Sequence, residues 1–299
     1  MRTPVKVGLI TLLVGSMLGA CGQSDDSAGP ASPADSGPTA DAGPTADAPL
    51  NIVGLVDGTT LVNFSTDDTS IRDNRNVTGL EGDTSLVGID YRVQDGQLYG
   101  VGDAGGVYSI DDAGLAMKVT QLTVALDGEN FGVDFNPVAN ALRVVSDTGQ
   151  NLRQPFADPT ATTVTDGALT NPAMAPATGT VPAMGITGAA YTNNDTEAAT
   201  ATTLFDIDTT ADRVSIQSPA NAGSLAATGN LGVDAGPNVG FDIYSTVTNG
   251  VTSDMTAFAT LQVGSTYGLY RINVLTGAAE NMGDLAGNVS DLAIPLSQR

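Results

Sequence analysis

Short stretches of alternating apolar and polar residues recur along the chain from about residue 50 onward. Alternation with period two is typical of a half-buried β-strand, because successive side chains point to opposite faces of the sheet. Each stretch runs into Asp, Asn or Gly, residues that favour tight turns. The copies lie at residues 61–67, 107–114, 204–208 and 269–277, with a weaker one at 151–158.

A second element precedes the later copies and begins with glycine, at residues 88–92, 132–136, 188–192 and 240–244. A fifth version at 289–293 has no strand–turn copy after it, and the copy at 61–67 has no such element before it. We therefore expect residues 289–293 to supply the inner strand that the first repeat lacks. That pairing would close the repeats into a ring, in which only short strand edges stay exposed.

The predicted fold class is all-β, and the predicted architecture is a β-propeller of five blades with four strands each. Closure would come from pairing of the N- and C-terminal segments of the domain. A repeat spacing of about fifty residues is long for a propeller blade but typical of some. Two alternatives stay open at this point. Residues 158–188 and 215–240 are long enough to hold a sixth blade, and evenly spaced short strands also occur in β-sandwiches.

Several motifs resemble the signature of a bacterial family known as domain of unknown function 4394. They are residues 132–137, 142–153, 190–193, 217–225 and 240–243, and the likeness covers residues 51–295. The resemblance implies an exported domain of repeated β-strands and carries no activity with it. The chain departs from the family pattern at Ala220, where a second proline is common. It departs again at Asn140 and Ala141, where an Asp-Arg pair is usual.

The first residues predict an export signal. Arg2 and Lys6 are followed by a short apolar stretch over 7–18, too short for a permanent membrane span. The stretch ends in Leu-Gly-Ala-Cys21, which resembles the lipobox of bacterial lipoproteins. We expect cleavage after residue 20 and lipid attachment to Cys21; an ordinary secretory signal is the alternative.

Residues 21–49 are rich in Ser, Ala, Asp, Pro and Gly and predict a disordered tether, because they offer almost no large apolar side chain to bury. Residues 50–299 then form the propeller domain. Gly22 follows the lipidated cysteine instead of an Asp, which favours the outer membrane or the cell surface. The predicted location is therefore the extracytoplasmic cell envelope, with the N-terminal lipid as the membrane contact.

Composition restricts the chemistry. The chain has no histidine, and Cys21 is its only cysteine. This removes nucleophilic triads built on histidine and the usual zinc and copper ligand sets. The formal net charge of −22 disfavours nucleic acid as a partner. No catalytic set is predicted.

Two clusters remain as candidate sites. An Asp recurs in three of the glycine-led elements and in the fifth version at 289–293, at Asp90, Asp134, Asp242 and Asp291. These carboxylates are expected to converge at one mouth of the channel and bind Ca²⁺. Alternatively, each Asp accepts hydrogen bonds from backbone amides of the adjacent blade. The second cluster is a candidate site for a carboxylate or a sugar, or else an Arg-Asp network that ties a blade edge. It comprises Asn136, Arg143, Asp147, Asn151 and Arg153.

Three functions are compatible with these features. The leading hypothesis is a membrane-anchored binding protein for a glycan, peptide or envelope protein. The second is a histidine-independent polysaccharide hydrolase or lyase, assisted by calcium. The third is a purely structural envelope protein.

Overall fold

The stretches of alternating polarity form short antiparallel strands in the structure, a computed structural model that describes residues 48–158 and 160–298. Twenty of the 22 strands build five four-stranded sheets, and the other two pair with each other. The sheets are the blades of a five-bladed β-propeller, as predicted. The six-bladed and sandwich alternatives are wrong. The signal, Cys21 and the tether up to residue 47 lie outside the described residues.

The strands follow the chain in blade order. Blade 1 contains β1 (Asn51–Val56), β2 (Thr60–Ser65) and β3 (Asp68–Asn76). Blade 2 contains β4 (Leu86–Tyr91), β5 (Leu98–Gly102), β6 (Gly106–Ile110) and β7 (Ala116–Gln121). Blade 3 contains β8 (Phe131–Asn136), β9 (Ala141–Ser146), β10 (Asn151–Pro155) and β11 (Val164–Thr165).

A two-stranded hairpin, β12 (Thr170–Pro172) and β13 (Thr180–Pro182), separates blades 3 and 4. Blade 4 contains β14 (Ile186–Tyr191), β15 (Leu204–Asp208), β16 (Arg213–Gln217) and β17 (Leu225–Asn230). Blade 5 contains β18 (Ala235–Thr248), β19 (Val251–Val263), β20 (Thr266–Ile272) and β21 (Ala279–Leu285). The last strand, β22 (Val289–Ala293), returns to blade 1.

Blade 1 is closed by the two ends of the domain, which confirms the predicted ring closure. β22 is the inner strand of that blade and pairs antiparallel with β1, with Val53 opposite Ala293 and Leu55 opposite Asp291. The segment 158–188, suspected of hiding a blade, contains β11 and the β12–β13 hairpin instead.

Apolar clusters lie between neighbouring blades and hold the ring together. Between blades 5 and 1, for example, Ile52 and Phe64 pack in one cluster with Tyr244 and Phe258. Burying such aromatic and aliphatic surface is the main favourable term in folding.

The glycine that begins each of the four inner-strand elements is required by close packing around the channel. A Cβ on Gly132 would lie 2.5 Å from the backbone nitrogen of Ala189, and one on Gly240 would lie 2.6 Å from the carbonyl carbon of Asp291. At Gly132 and Gly240 adjacent inner strands therefore approach too closely for any side chain.

Helix is nearly absent, as the lack of helical periodicity predicted. Within 48–158 and 160–298 the helical element is one 3-10 turn, Ala220–Ala222. No helix in this part of the chain is long and apolar enough to cross a membrane.

Candidate functional site

Three of the four predicted carboxylates meet inside the propeller. Asp90 lies on β4, Asp134 on β8 and Asp242 on β18, all of which are inner strands. Each offers a carboxylate oxygen, and these three oxygens lie within 4.8 Å of one another. All three residues are buried. We call this group the carboxylate triad.

Each triad carboxylate accepts a hydrogen bond from the next blade. The amide of Phe135 donates to Asp90 Oδ2 at 2.7 Å, and that of Tyr191 donates to Asp134 Oδ1 at 3.2 Å. The amide of Ile294 donates to Asp242 Oδ2 at 2.7 Å. The triad thus links inner strands around the channel, which is the second role considered for these residues.

Asp291 is not equivalent to the triad, and the structure corrects that prediction. Its Oδ2 accepts from the amide of Ile89 at 2.7 Å, one residue before Asp90, and lies 2.9 Å from the position of a Cβ on Gly88. Asp291 therefore occupies the register position that glycine holds in the other blades. The triad's register position in blade 1 is filled by Ala293, because the amide that donates to Asp242 is that of the next residue, Ile294, just as the amide after Asp134 donates to Asp90.

Burial raises the pKa of the triad carboxyls. The pKa values of Asp90 and Asp134 lie well above 3.8, because of desolvation first and the negative charge of neighbouring carboxylates second. Desolvation raises the pKa of Asp242 to about 6, against hydrogen bonds from the amides of Ile294 and Ile243. Three such oxygens are suitable ligands for a hard cation. Calcium binding there stays a prediction.

The second predicted cluster divides in the structure. Arg143, Asn151 and Arg153 come together between blades 3 and 4, whereas Asp147 and Asn136 serve separate turns. Asp147 accepts hydrogen bonds from the amides of Glu129 and Asn130. Asn136 Oδ1 accepts from the amides of Val138 and Ala139.

Arg143 is almost completely buried, at 1% exposure, and uses its donors on partners within the protein. Its NH1 donates to Asn151 Oδ1 and to Asp166 Oδ2, both at 2.7 Å. NH2 donates to Asn221 Oδ1 at 2.8 Å, and Nε donates to the hydroxyl of Tyr191 at 3.3 Å. This arrangement ties blade 3 to blade 4.

Two members of this network, Asp166 and Asn221, were not predicted from the sequence. Asp166 receives both Arg143 and a two-pronged contact from Arg153, at 3.0 and 3.1 Å. Asn221 reaches Arg143 from 78 residues away. Asn221 lies within the 217–225 motif of the family resemblance, and that membership was the available signal.

A cavity that no sequence motif indicated lies between blades 4 and 5, near the ends of their inner strands. It has a volume of about 870 Å³, and we call it the blade 4–5 groove. Its apolar lining includes Phe205, Ile243, Met255, Ala257, Ile272 and Leu275. Its polar lining includes Asn193, Asp254, Arg271 and Glu280.

The long β18–β19 hairpin forms one wall of this groove. β18 and β19 have 14 and 13 residues, whereas the inner strands of the other blades have five or six. Near its tip the amide of Thr252 donates to Asp195 Oδ2 at 2.9 Å, which anchors the hairpin to the loop after β14.

The sequence profile of the family described as Domain of unknown function (DUF4394) matches residues 60–293. The chain belongs to this family. The resemblance seen in the sequence motifs is thereby confirmed. None of the curated proteins matches the chain.

The comparison with solved structures finds matches of low sequence identity to this family member. A crystal structure of a protein from Lactobacillus plantarum has 17% identity and a TM-score of 0.39, with 79% of this chain and 67% of that chain covered. An auxiliary nutrient binding protein from Bacteroides ovatus has 11% identity and a TM-score of 0.38, with 73% and 55% covered.

A structural genomics protein of unknown function from Bacteroides thetaiotaomicron has 14% identity and a TM-score of 0.42. The match covers 79% of this chain and 58% of that one. This chain thus spans little more than half the length of the two Bacteroides proteins.

Proposed function

We propose that this protein is a lipid-anchored binding protein of the bacterial cell envelope, and that its ligand is an extended peptide held in the blade 4–5 groove. The observation that carries the proposal is the groove itself. Its volume of about 870 Å³ lies within the range of established ligand sites. The lipobox-like sequence ending at Cys21 supports the envelope location.

The lining favours a peptide over a glycan. Met255 is 47% exposed and Leu275 is 72% exposed, so two large apolar side chains face solvent at the groove. Exposed methionine adapts its shape to different apolar partners. Phe205 is the aromatic residue among those that line the groove, and at 4% exposure it offers no open ring face on which a sugar would stack.

Charges of both signs stand beside these apolar positions. Arg271 on β20 lies opposite Glu280 on β21 in the antiparallel register, and Asp254 comes from the long hairpin. A peptide carries apolar side chains together with charged termini and side chains, so it complements such a mixed surface. A wholly hydroxylated ligand would leave Met255 and Leu275 uncovered.

Selection from a library of displayed 12-residue peptides tests this function. Peptides should be enriched on the intact protein and bind with micromolar dissociation constants. Leu275→Glu and Met255→Glu should each weaken binding by about tenfold or more, because a buried unpaired carboxylate would oppose the apolar contact. Val119→Glu is the matched control, since Val119 is an exposed apolar residue on β7, outside the groove.

Failure to enrich any peptide would contradict the proposal. So would peptides whose affinity is unchanged by both groove substitutions. Equal melting temperatures for the three variants would show that lost binding reflects the groove and not unfolding.

A further inference from the structure

A second cavity lies between blades 1 and 2, at a place in the repeat that corresponds to the blade 4–5 groove. Tyr91 on β4 and Leu98 on β5 lie opposite each other and line this cavity, just as Ile243 and Ala257 lie opposite each other in the groove. Tyr91 and Ile243 each follow a residue of the carboxylate triad. The cavity has a volume of about 320 Å³, and we call it the blade 1–2 cavity.

Arg75 on β3 lines the blade 1–2 cavity and is a half-buried cation without an ion pair. Its NH1 donates to the backbone carbonyl of Asp112 at 2.9 Å, and its NH2 donates to Asn63 Oδ1 at 2.8 Å. Both acceptors are neutral, and no ion pair within 48–158 and 160–298 includes Arg75. Because NH1 and NH2 each carry two hydrogens, each keeps one N–H for a further acceptor.

Asp112, in the turn after β6, supplies an unpaired charge of the opposite sign. It is exposed, and it takes part in no ion pair of the described part of the chain. Asp111 lines the cavity as well, but its Oδ1 accepts from two amides of the same turn. Burial raises the pKa of Tyr91, the negative charge of Asp112 adds to this rise, and the positive charge of Arg75 opposes it. Both charges therefore act on the same tyrosine hydroxyl group.

The two unpaired charges restrict the class of ligand. A ligand with only a carboxylate would meet the negative charge of Asp112, and a ligand with only an ammonium group would meet the positive charge of Arg75. A molecule that carries both groups complements both residues. The volume of about 320 Å³ equals that of about eleven water molecules in the liquid, so the molecule is small. Apolar side chains complete the lining, namely Val53, Leu98, Ile110 and the half-buried ring of Tyr91.

We propose that the blade 1–2 cavity binds a free α-amino acid with an apolar side chain. The guanidinium of Arg75 and the hydroxyl of Tyr91 donate to the carboxylate, and the carboxylate of Asp112 accepts from the ammonium group. The apolar side chain of the ligand contacts the ring of Tyr91 and the aliphatic lining. This site is separate from the blade 4–5 groove and does not depend on peptide binding there.

Isothermal titration calorimetry on the full chain tests this inference with three probes. L-leucine carries both charges, 4-methylpentanoate lacks the ammonium group, and L-leucinamide lacks the carboxylate. L-leucine should bind with a dissociation constant between about 1 μM and 1 mM. Each analogue should bind at least about tenfold more weakly, because it leaves one charged group of the cavity without its partner.

Two substitutions separate the roles of the charged residues. Asp112→Asn should weaken the binding of L-leucine by about tenfold without weakening that of 4-methylpentanoate, which has no ammonium group. Arg75→Gln should weaken the binding of L-leucine to a similar extent without weakening that of L-leucinamide. Asp234→Asn is the matched control, because Asp234 is exposed and lies outside the cavity lining. It should leave all three affinities unchanged.

Three results would overturn the inference. They are no binding of L-leucine at concentrations up to about 10 mM, equal affinity for L-leucine and both analogues, and an affinity for L-leucine that survives both cavity variants. If Arg75→Gln unfolds through loss of its bond to Asn63, Asp112→Asn and the two analogues decide the question. None of these results would bear on the peptide groove.

Discussion

Substitution of Asp206 tests most directly how ionisation of a buried carboxyl group changes the free energy of unfolding of this propeller. It lies on β15, opposite Ala189 on one side and Ser215 on the other. Its exposure is 0%, and neither carboxylate oxygen has a hydrogen-bond partner. Burial therefore raises its pKa well above 3.8, while the positive charge of Arg143 opposes the shift and the negative charge of Asp208 adds to it.

The sign of the pH effect follows from this shift. Between the unfolded pKa near 3.8 and the higher folded pKa, the folded protein keeps a proton that the unfolded chain releases. Stability from this group is thus complete below the unfolded pKa and is lost as the pH rises through the folded pKa. Within that window the loss is about 1.4 kcal/mol per pH unit.

Asp206→Asn removes the titration and keeps the side-chain size. The free energy of unfolding of the variant minus that of the wild type should increase by about 1.4 kcal/mol per pH unit above pH 4. The increase should stop once the pH passes the pKa of Asp206 in the folded protein. Urea unfolding at pH 4.5, 5.5 and 6.5, followed by circular dichroism, measures this difference. Circular dichroism is preferred because the chain contains no tryptophan.

Asp234→Asn is the matched control, since Asp234 is exposed. It should follow the wild-type pH dependence, to which the other buried carboxyls also contribute. Parallel curves for the wild type and Asp206→Asn would refute the reasoning, because they would mean that Asp206 titrates alike in the folded and unfolded states.

Four further variants test the ring, the triad and the anchor. Arg143→Met should destabilise the protein by about 3–5 kcal/mol in urea unfolding, because it leaves Asp166 buried with one fewer cation. Gly132→Ala should lower stability by about 1–3 kcal/mol or more through the contact with the Ala189 nitrogen, whereas Gly287→Ala, whose Cβ would meet its nearest atom at 4.0 Å, should be nearly neutral. Titration of Asp242 should cost the wild type about 3 kcal/mol of unfolding free energy as the pH rises from 3.8 to about 6, and Asp242→Asn should abolish this loss. The same variant should lose any rise in melting temperature caused by CaCl₂ at pH 7.5; a wild type that CaCl₂ does not stabilise would contradict the metal hypothesis. Cys21→Ala should move the protein from the membrane fraction to the soluble fraction, as an immunoblot of separated fractions would show.

The sequence predicted the blades better than it predicted the candidate sites. Asp291 follows the motif of Asp90 and Asp242, yet it lies two residues away from the triad position in register, where its carboxylate accepts from Ile89. Arg143 was identified as a candidate binding residue, but its partners come from blade 3, blade 4 and the connections between them. Such convergence depends on contacts far apart in the chain, which local spacing does not encode.

The sequence by itself indicated the all-β fold and the closure of the ring, because the period of two, the turn residues and the unmatched first and last repeats are local features. The number of blades was decided by the structure, since residues 158–188 and 215–240 were long enough to hold a sixth blade. Only the tertiary structure decided which carboxylates meet, how Arg143 is satisfied, and where the blade 4–5 groove lies. These features depend on the register between blades and on the length of one hairpin. Both are set by packing across the ring, where residues more than fifty positions apart become neighbours.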